Sequence, residues 1–280
     1  MAKVLLTLEY DGTDYVGWQR QPNGPSIQAA VEGALERMFK QPVRVSASGR
    51  TDAGVHALAQ TASFTPPFPL PPRAYVQGLT GLLPRDIAVT QAREVPDSFD
   101  ARRSARGKHY RYRILNRPQR SPLRRRQRWE IFAPLDIGAM REAAACLAGT
   151  HDFSAFRASN CESKSPIKTL RPVEIARDGD EVTLDFWGSG FLKQMVRNLV
   201  GTLAEVGLGR RPPGSVRQTL LSLDRAQAGP TAPPQGLFLV EVFYGRDAIP
   251  CADAREFPAP PDTGVSALPS NPHGSGENVS

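Results

Sequence analysis

The sequence predicts an α+β protein, because strand-like alternation and helix-like periodicity are interleaved between residues 4 and 243. A tight hairpin marked by Asp178-Gly179 and a hydrophobic content of 40% support that reading. A length of 280 residues suits one large or two medium domains, since single cores stop growing at roughly 250 to 300 residues. We expect an N-terminal α+β subdomain over 1–101, a second over 102–245, and a disordered tail over 246–280, where Pro, Gly, Ala, Ser and Asp dominate without periodicity.

The elements follow in order. Residues 4–10 alternate as a strand and end at Asp11-Gly12, a strong turn signal. Ile27, Ala30, Val31, Ala34, Leu35, Met38 and Phe39 recur at helical spacing, with Ser26 as N-cap and Glu32 on the polar side. Residues 43–47 and 55–64 read as strands on either side of a short loop. A short helix over 73–83 and a strand over 87–95 come next. In 107–115, Tyr110, Tyr112 and Ile114 point one way while His109, Arg111 and Arg113 point the other. A strand of that kind can stack a base and hold phosphates. Residues 116–128 are read as a mobile basic loop, and a helix from Leu135 stops at Gly149. Strands over 169–177 and 181–187 form the hairpin, and a helix opens at Phe191, with Lys193 and Arg197 together at the edge of its buried face. A nearby anion is one reason to keep two cations there, and snorkelling into solvent is another. A helix over 216–223 and a strand over 237–243 complete the pattern.

Charge placement narrows the function. Residues 101–129 hold eleven arginines and one lysine with no Asp or Glu, while the whole chain is only +7. Such a local patch suits a polyanion, because phosphate neutralisation releases counterions. Cys146, Cys161 and Cys251 are too few and too scattered for a disulfide framework, which points to a reducing compartment. There is no secretory h-region and no apolar run of membrane-spanning length, so a cytoplasmic protein without a membrane partner is expected. The four histidines stand apart from Cys and carboxylates, so no metal is expected.

Between the strands over 43–47 and 55–64 runs Ser48-Gly49-Arg50-Thr51-Asp52-Ala53-Gly54-Val55-His56-Ala57. Thr-Asp-Ala-Gly is by itself an ordinary turn composition, because a short Asp side chain bonds its own backbone. As ten residues, however, the stretch resembles the signature loop of the tRNA pseudouridine synthase A family. Tyr10-Asp11-Gly12 through Gly17-Trp18-Gln19 resembles the same family, as do 105–112, Lys164-Ser165-Pro166, 190–198 and 228–233. The resemblance implies two α+β halves with mostly antiparallel sheets around a central basic cleft, in a homodimer that holds one tRNA. It further implies isomerisation of uridine to pseudouridine at positions conventionally numbered 38 to 40 of the anticodon stem-loop, without a cofactor. By residue it carries the nucleophile to Asp52, the arginine beside it to Arg50, the active-site tyrosine to Tyr110 and a further arginine to Arg197. Tyr110, Arg106, Lys108, Arg111 and Lys193 are the expected RNA-binding set.

The chemistry suits those residue types. Remaking an N-glycosidic link through carbon needs a group that attacks the nucleotide and later leaves, which a carboxylate can do. Arg50 or Arg197 can compensate its charge when RNA excludes water, and Tyr110 can stack on the uracil and offer its hydroxyl. A base stacked in a stem must first be everted. Two rivals remain at this point: an RNA-binding module without catalysis, which has no use for Asp52, and an N-ribosyl hydrolase, which would release free base.

Overall fold

The computed structural model describes residues 2–245, and the tail expected over 246–280 lies outside the described residues. In its first half the chain forms β1 (Lys3–Tyr10), α1 (Ile27–Phe39), β2 (Ser46–Ala47), β3 (His56–Phe64), α2 (Pro72–Leu82) and β4 (Ile87–Val95). Then come β5 (Gly107–Asn116), β6 (Trp129–Ile131), α3 (Ile137–Ala144), β7 (Gly149–Asp152), β8 (Ile167–Leu170), β9 (Glu174–Asp178), β10 (Glu181–Gly188), α4 (Met195–Gly207), α5 (Ser215–Ser222) and β11 (Leu237–Phe243).

Among the described residues, all eleven strands join one sheet whose main path is β4-β1-β3-β11-β5-β10-β8-β7, giving the α+β fold that the alternation predicts. Most pairings are antiparallel, whereas β11 runs parallel to β3 and β6 parallel to β5. The last strand therefore enters the middle, between the strand that leaves the signature loop and the strand that carries Tyr110. Alternation decides which face is covered: Val4, Leu6, Leu8 and Tyr10 of β1 belong to the main core with residues of the helices. Leu5 faces the other way, into a small cluster with Val95, Phe99 and Ala101.

α1 begins where Ser26 accepts a hydrogen bond from the Ala29 amide, a cap worth about 1 kcal/mol. It buries Ile27, Val31, Ala34, Leu35 and Phe39, the stripe read from the sequence. Glu32 departs from its expected polar face. It is buried, takes Arg44 at 2.8 Å and accepts the Val45 amide at 3.3 Å. That bond explains why β2 is shorter than the strand expected over 43–47: Val43 and Val45 are buried, but the Val45 amide is spent on a side chain rather than a ladder.

Two other elements differ from expectation. The strand expected over 169–177 is split into β8 and β9, with Pro172 between them lacking a ladder donor. The helix expected from Phe191 starts only at Met195, because Gln194 sits at φ 60°, a left-handed conformation that a right-handed helix cannot contain. Lys193 consequently lies in the preceding turn and shares no helical stripe with Arg197. The basic loop between β5 and β6 is tethered by Arg117 to Asp180, Arg126 to Asp14 and Arg128 to Glu181. Arg120, Arg124 and Arg125 are exposed.

Candidate active site

Sheet register brings the candidate residues together. Tyr10 is opposite Ala57, Ala57 is opposite Leu239, and Leu239 is opposite Tyr110, a row across β1, β3, β11 and β5 on the helix-covered face. Neighbouring strands lie about 4.8 Å apart, so the two tyrosines stand at either end of a row whose middle positions are Ala57 and Leu239. Both phenols are held protonated well above the usual tyrosine range by burial, Tyr110 also by nearby Tyr10 and Asp52. Tyr110 meets Phe191 edge-on at 5.0 Å, which is where Phe191 goes instead of starting the helix.

A buried polar network aims the signature loop. The Tyr10 hydroxyl and Thr51 Oγ1 are 2.9 Å apart, and the Thr51 carbonyl accepts the Trp18 amide at 3.1 Å. Gln60, fully buried, accepts from the Ser48 hydroxyl at 2.7 Å and donates to the Gly49 carbonyl at 2.9 Å. Gly17 at φ 105° lies against the backbone of Thr51 and Asp52, so close that an added Cβ would stand 2.5 Å from the Thr51 carbonyl oxygen. Trp18 proves to be core, tilted against Tyr10 at 6.3 Å. Asp52, with Thr51 pinned beneath it, keeps its side chain 24% exposed.

Asp52 Oδ2 faces Arg197 Nη1 at 3.4 Å, and the Arg197 side chain is 12% exposed. Arg197 is fixed from behind, its Nε donating to the Ala232 carbonyl at 2.7 Å while the Ala232 amide donates to the Arg197 carbonyl at 3.1 Å. The 228–232 segment is itself locked onto α4. Asn198, fully buried, donates to the Phe156 carbonyl and accepts from Thr231 and Arg225. Tyr112, also fully buried, donates to the Pro233 carbonyl at 2.7 Å, and its phenol too is held neutral by burial.

The structure sorts the expected site residues. Asp52, Tyr110 and Arg197 converge, whereas Arg50 turns outward and pairs with Glu162 at 2.9 Å. Arg50 and Arg197 were both candidates to compensate Asp52; Arg197 is paired with it, while Arg50, two residues away around a buried Thr51, is turned to Glu162. Lys108 shares the Tyr110 face and sits over Gly49. Arg106 is half-buried at the start of β5, its amide bonded to the Phe243 carbonyl. Arg111 lies on the opposite face of the sheet from Tyr110, where Asp185 accepts from its Nε at 2.8 Å and also takes His109. The two cations that β5 was expected to offer to phosphates there, Arg111 and Arg113, are paired by β10 carboxylates. Lys193 is exposed and takes no part in the Asp52 pair.

Sequence reading missed Gln60, Asn198 and Tyr10 as supports. The available signal was polarity inside apolar periodicity: Gln60 interrupts β3, and Asn198 sits on the buried side of α4.

Known proteins resemble this chain along most of its length. The tRNA pseudouridine synthase family matches residues 7–102 and 143–245. The tRNA pseudouridine synthase A of Myxococcus xanthus is 58% identical over 251 residues, covering 89% of this chain and 94% of the relative. That of Geotalea uraniireducens strain Rf4 is 53% identical over 244 residues, 87% of this chain and 100% of the relative. The Geobacter sulfurreducens protein of the same name is 52% identical over the same share of each.

Proposed function

This chain belongs to the tRNA pseudouridine synthase family and so isomerises uridine to pseudouridine in tRNA, and from that premise we propose that Asp52 is its nucleophile, acting at positions 38, 39 or 40 of the anticodon stem-loop. The observation that carries this reading is the Asp52 carboxylate, partly exposed, paired with Arg197 and close enough to bear on the buried Tyr110 phenol.

The carboxylate of Asp52 attacks the nucleotide, the bond from ribose C1′ to N1 breaks, uracil turns, C1′ joins C5, and the bond to the Asp52 carboxylate is broken in turn, returning the free carboxylate. The C5 proton is lost and N1 gains one, so no atom leaves and nothing is oxidised; no cofactor is called for. Arg197 compensates the carboxylate charge as RNA displaces water, and its two backbone bonds to Ala232 keep it from following the substrate. Tyr110 acts as a neutral phenol, since burial opposes the phenolate. It offers a ring face and a hydroxyl that passes on a proton only as it accepts another. Arg50 leaves Glu162 for the displaced RNA strand, and the exposed arginines 120, 124 and 125 hold the backbone beyond. The halves 1–101 and 102–245 form the two walls of the cleft, in a cytoplasmic homodimer.

Purified protein is incubated with unmodified tRNA and no additives, with and without a chelator, and the nucleosides are analysed. Wild type yields pseudouridine in both, while Asp52→Asn and Asp52→Ala bind tRNA and yield none. Full activity in either variant refutes the nucleophile, and free uracil in the products identifies a hydrolase.

A further inference from the structure

Lys108 stands two residues before Tyr110 on β5, so both side chains leave the same face of the strand. Its Nζ reaches the signature loop and lies only 2.1 Å from where a Cβ on Gly49 would be. No positive φ requires glycine at position 49, so the missing Cβ serves space rather than backbone conformation. The strand residues opposite Lys108, Gly188 on β10 and Val242 on β11, carry no charge. Glu241, next along β11, is opposite His109 and so belongs to the other face. The charged group that bears on Lys108 is Arg102, another cation, and among the described residues no carboxylate pairs with it.

Lys108 is half-buried, and a cation partly withdrawn from water without a counter-charge is costly to keep. Burial together with Arg102 pushes the Lys108 ammonium down to about 8. A bound anion would remove that cost, and an everted nucleotide whose base lies on Tyr110 brings its own phosphates within a residue or two along the same strand. We propose that Lys108, admitted by Gly49, is the seat for the phosphodiester flanking the target uridine, and that tRNA binding draws a proton onto it. This inference rests on Tyr110 and Asp52 being the reacting site.

The test measures equilibrium binding of unmodified tRNA by the full-length wild type and two variants between pH 6.5 and 9.5, at several salt concentrations, with pseudouridine formation by the same preparations. Wild-type affinity is expected to fall by about tenfold per pH unit above 8, as one proton must be taken up. Lys108→Arg keeps neutral-pH affinity and loses that pH dependence, because guanidinium does not titrate. Lys108→Met binds about tenfold more weakly at pH 7, with the salt slope reduced by about one. Wild-type-like affinity and slope in Lys108→Met, or a wild-type pH profile in Lys108→Arg, overturns the phosphate seat. A wild type that makes no pseudouridine defeats the catalytic reading instead.

Discussion

Gly201→Ala, buried in the middle of α4 one turn beyond Arg197, is expected to lower both stability and activity. Helix propensity alone argues the opposite, since alanine improves on glycine by about 1 kcal/mol in a helix interior. The surroundings decide the sign. A Cβ at position 201 would stand 1.7 Å from the Pro230 carbonyl oxygen, 2.9 Å from its carbon and 3.3 Å from the Ala232 nitrogen. These are backbone atoms that no rotamer change can move, so α4 and the 228–232 segment must part by about 1.5 Å to reach ordinary contact. Overpacking of this kind costs about 1 to 3 kcal/mol, and the depth of this clash places it at the upper end. Net of propensity, a loss of about 2 kcal/mol remains, or a fall of about 4 to 8 °C in Tm for a chain of this size. The displaced segment is the one that anchors Arg197 through Ala232. Single-turnover pseudouridine formation at 25 °C, well below unfolding, is therefore expected to drop by at least tenfold. A Tm equal to or above that of wild type refutes the packing argument. A lowered Tm with an unchanged rate refutes the claim that this contact sets Arg197.

Arg197→Lys keeps the charge, yet a point ammonium cannot serve Ala232 and Asp52 at once. We expect the single-turnover rate to fall about 10- to 100-fold with tRNA affinity nearly unchanged, and equal loss of affinity would place Arg197 in the binding surface instead. The neutral phenols of Tyr10, Tyr110, Tyr112 and Tyr244 make the fold alkali-sensitive. In the unfolded chain each ionises near pH 10, whereas burial raises it in the native state. Their stabilisation is whole below about pH 10 and is lost as pH climbs toward the native values. Urea midpoints between pH 9 and 11 should fall, less steeply in Tyr110→Phe, and an identical slope would contradict the burial of that phenol. Replacing Arg124, Arg125 and Arg126 together by alanine should reduce the salt dependence of tRNA binding by about two to three in slope. An unchanged slope removes the loop from the RNA contact surface.

The local elements were legible because each depends on its own periodicity. α1, α2, β4 and β11 stand within a residue or so of where alternation and helical spacing put them. Reading failed where a side chain took a backbone amide or a residue left the helical region. Glu32 took the amide that would have extended β2, and Gln194 broke the helix that apolar phasing carried back to Phe191. At the site, the identities of Asp52, Tyr110 and Arg197 were visible in the chain, and Arg50 and Arg197 were both candidates to compensate Asp52. The fold chose between them, delivering Arg197 from 145 residues away while Arg50 pairs with Glu162.

Sequence alone determined the kinds of chemistry available: a carboxylate in a glycine-bounded turn, a strand alternating aromatic and basic residues, and a concentrated positive charge. Only the tertiary structure decided which of these act together, because pairing across a sheet depends on strand order, and strand order is a long-range property. β11, last in the chain, inserts between β3 and β5 and fixes Ala57 and Tyr110 in one row. The same insertion leaves Arg111 on the far face with Asp185 and keeps Lys108 on the near face over Gly49, since alternate residues of a strand must point to opposite sides.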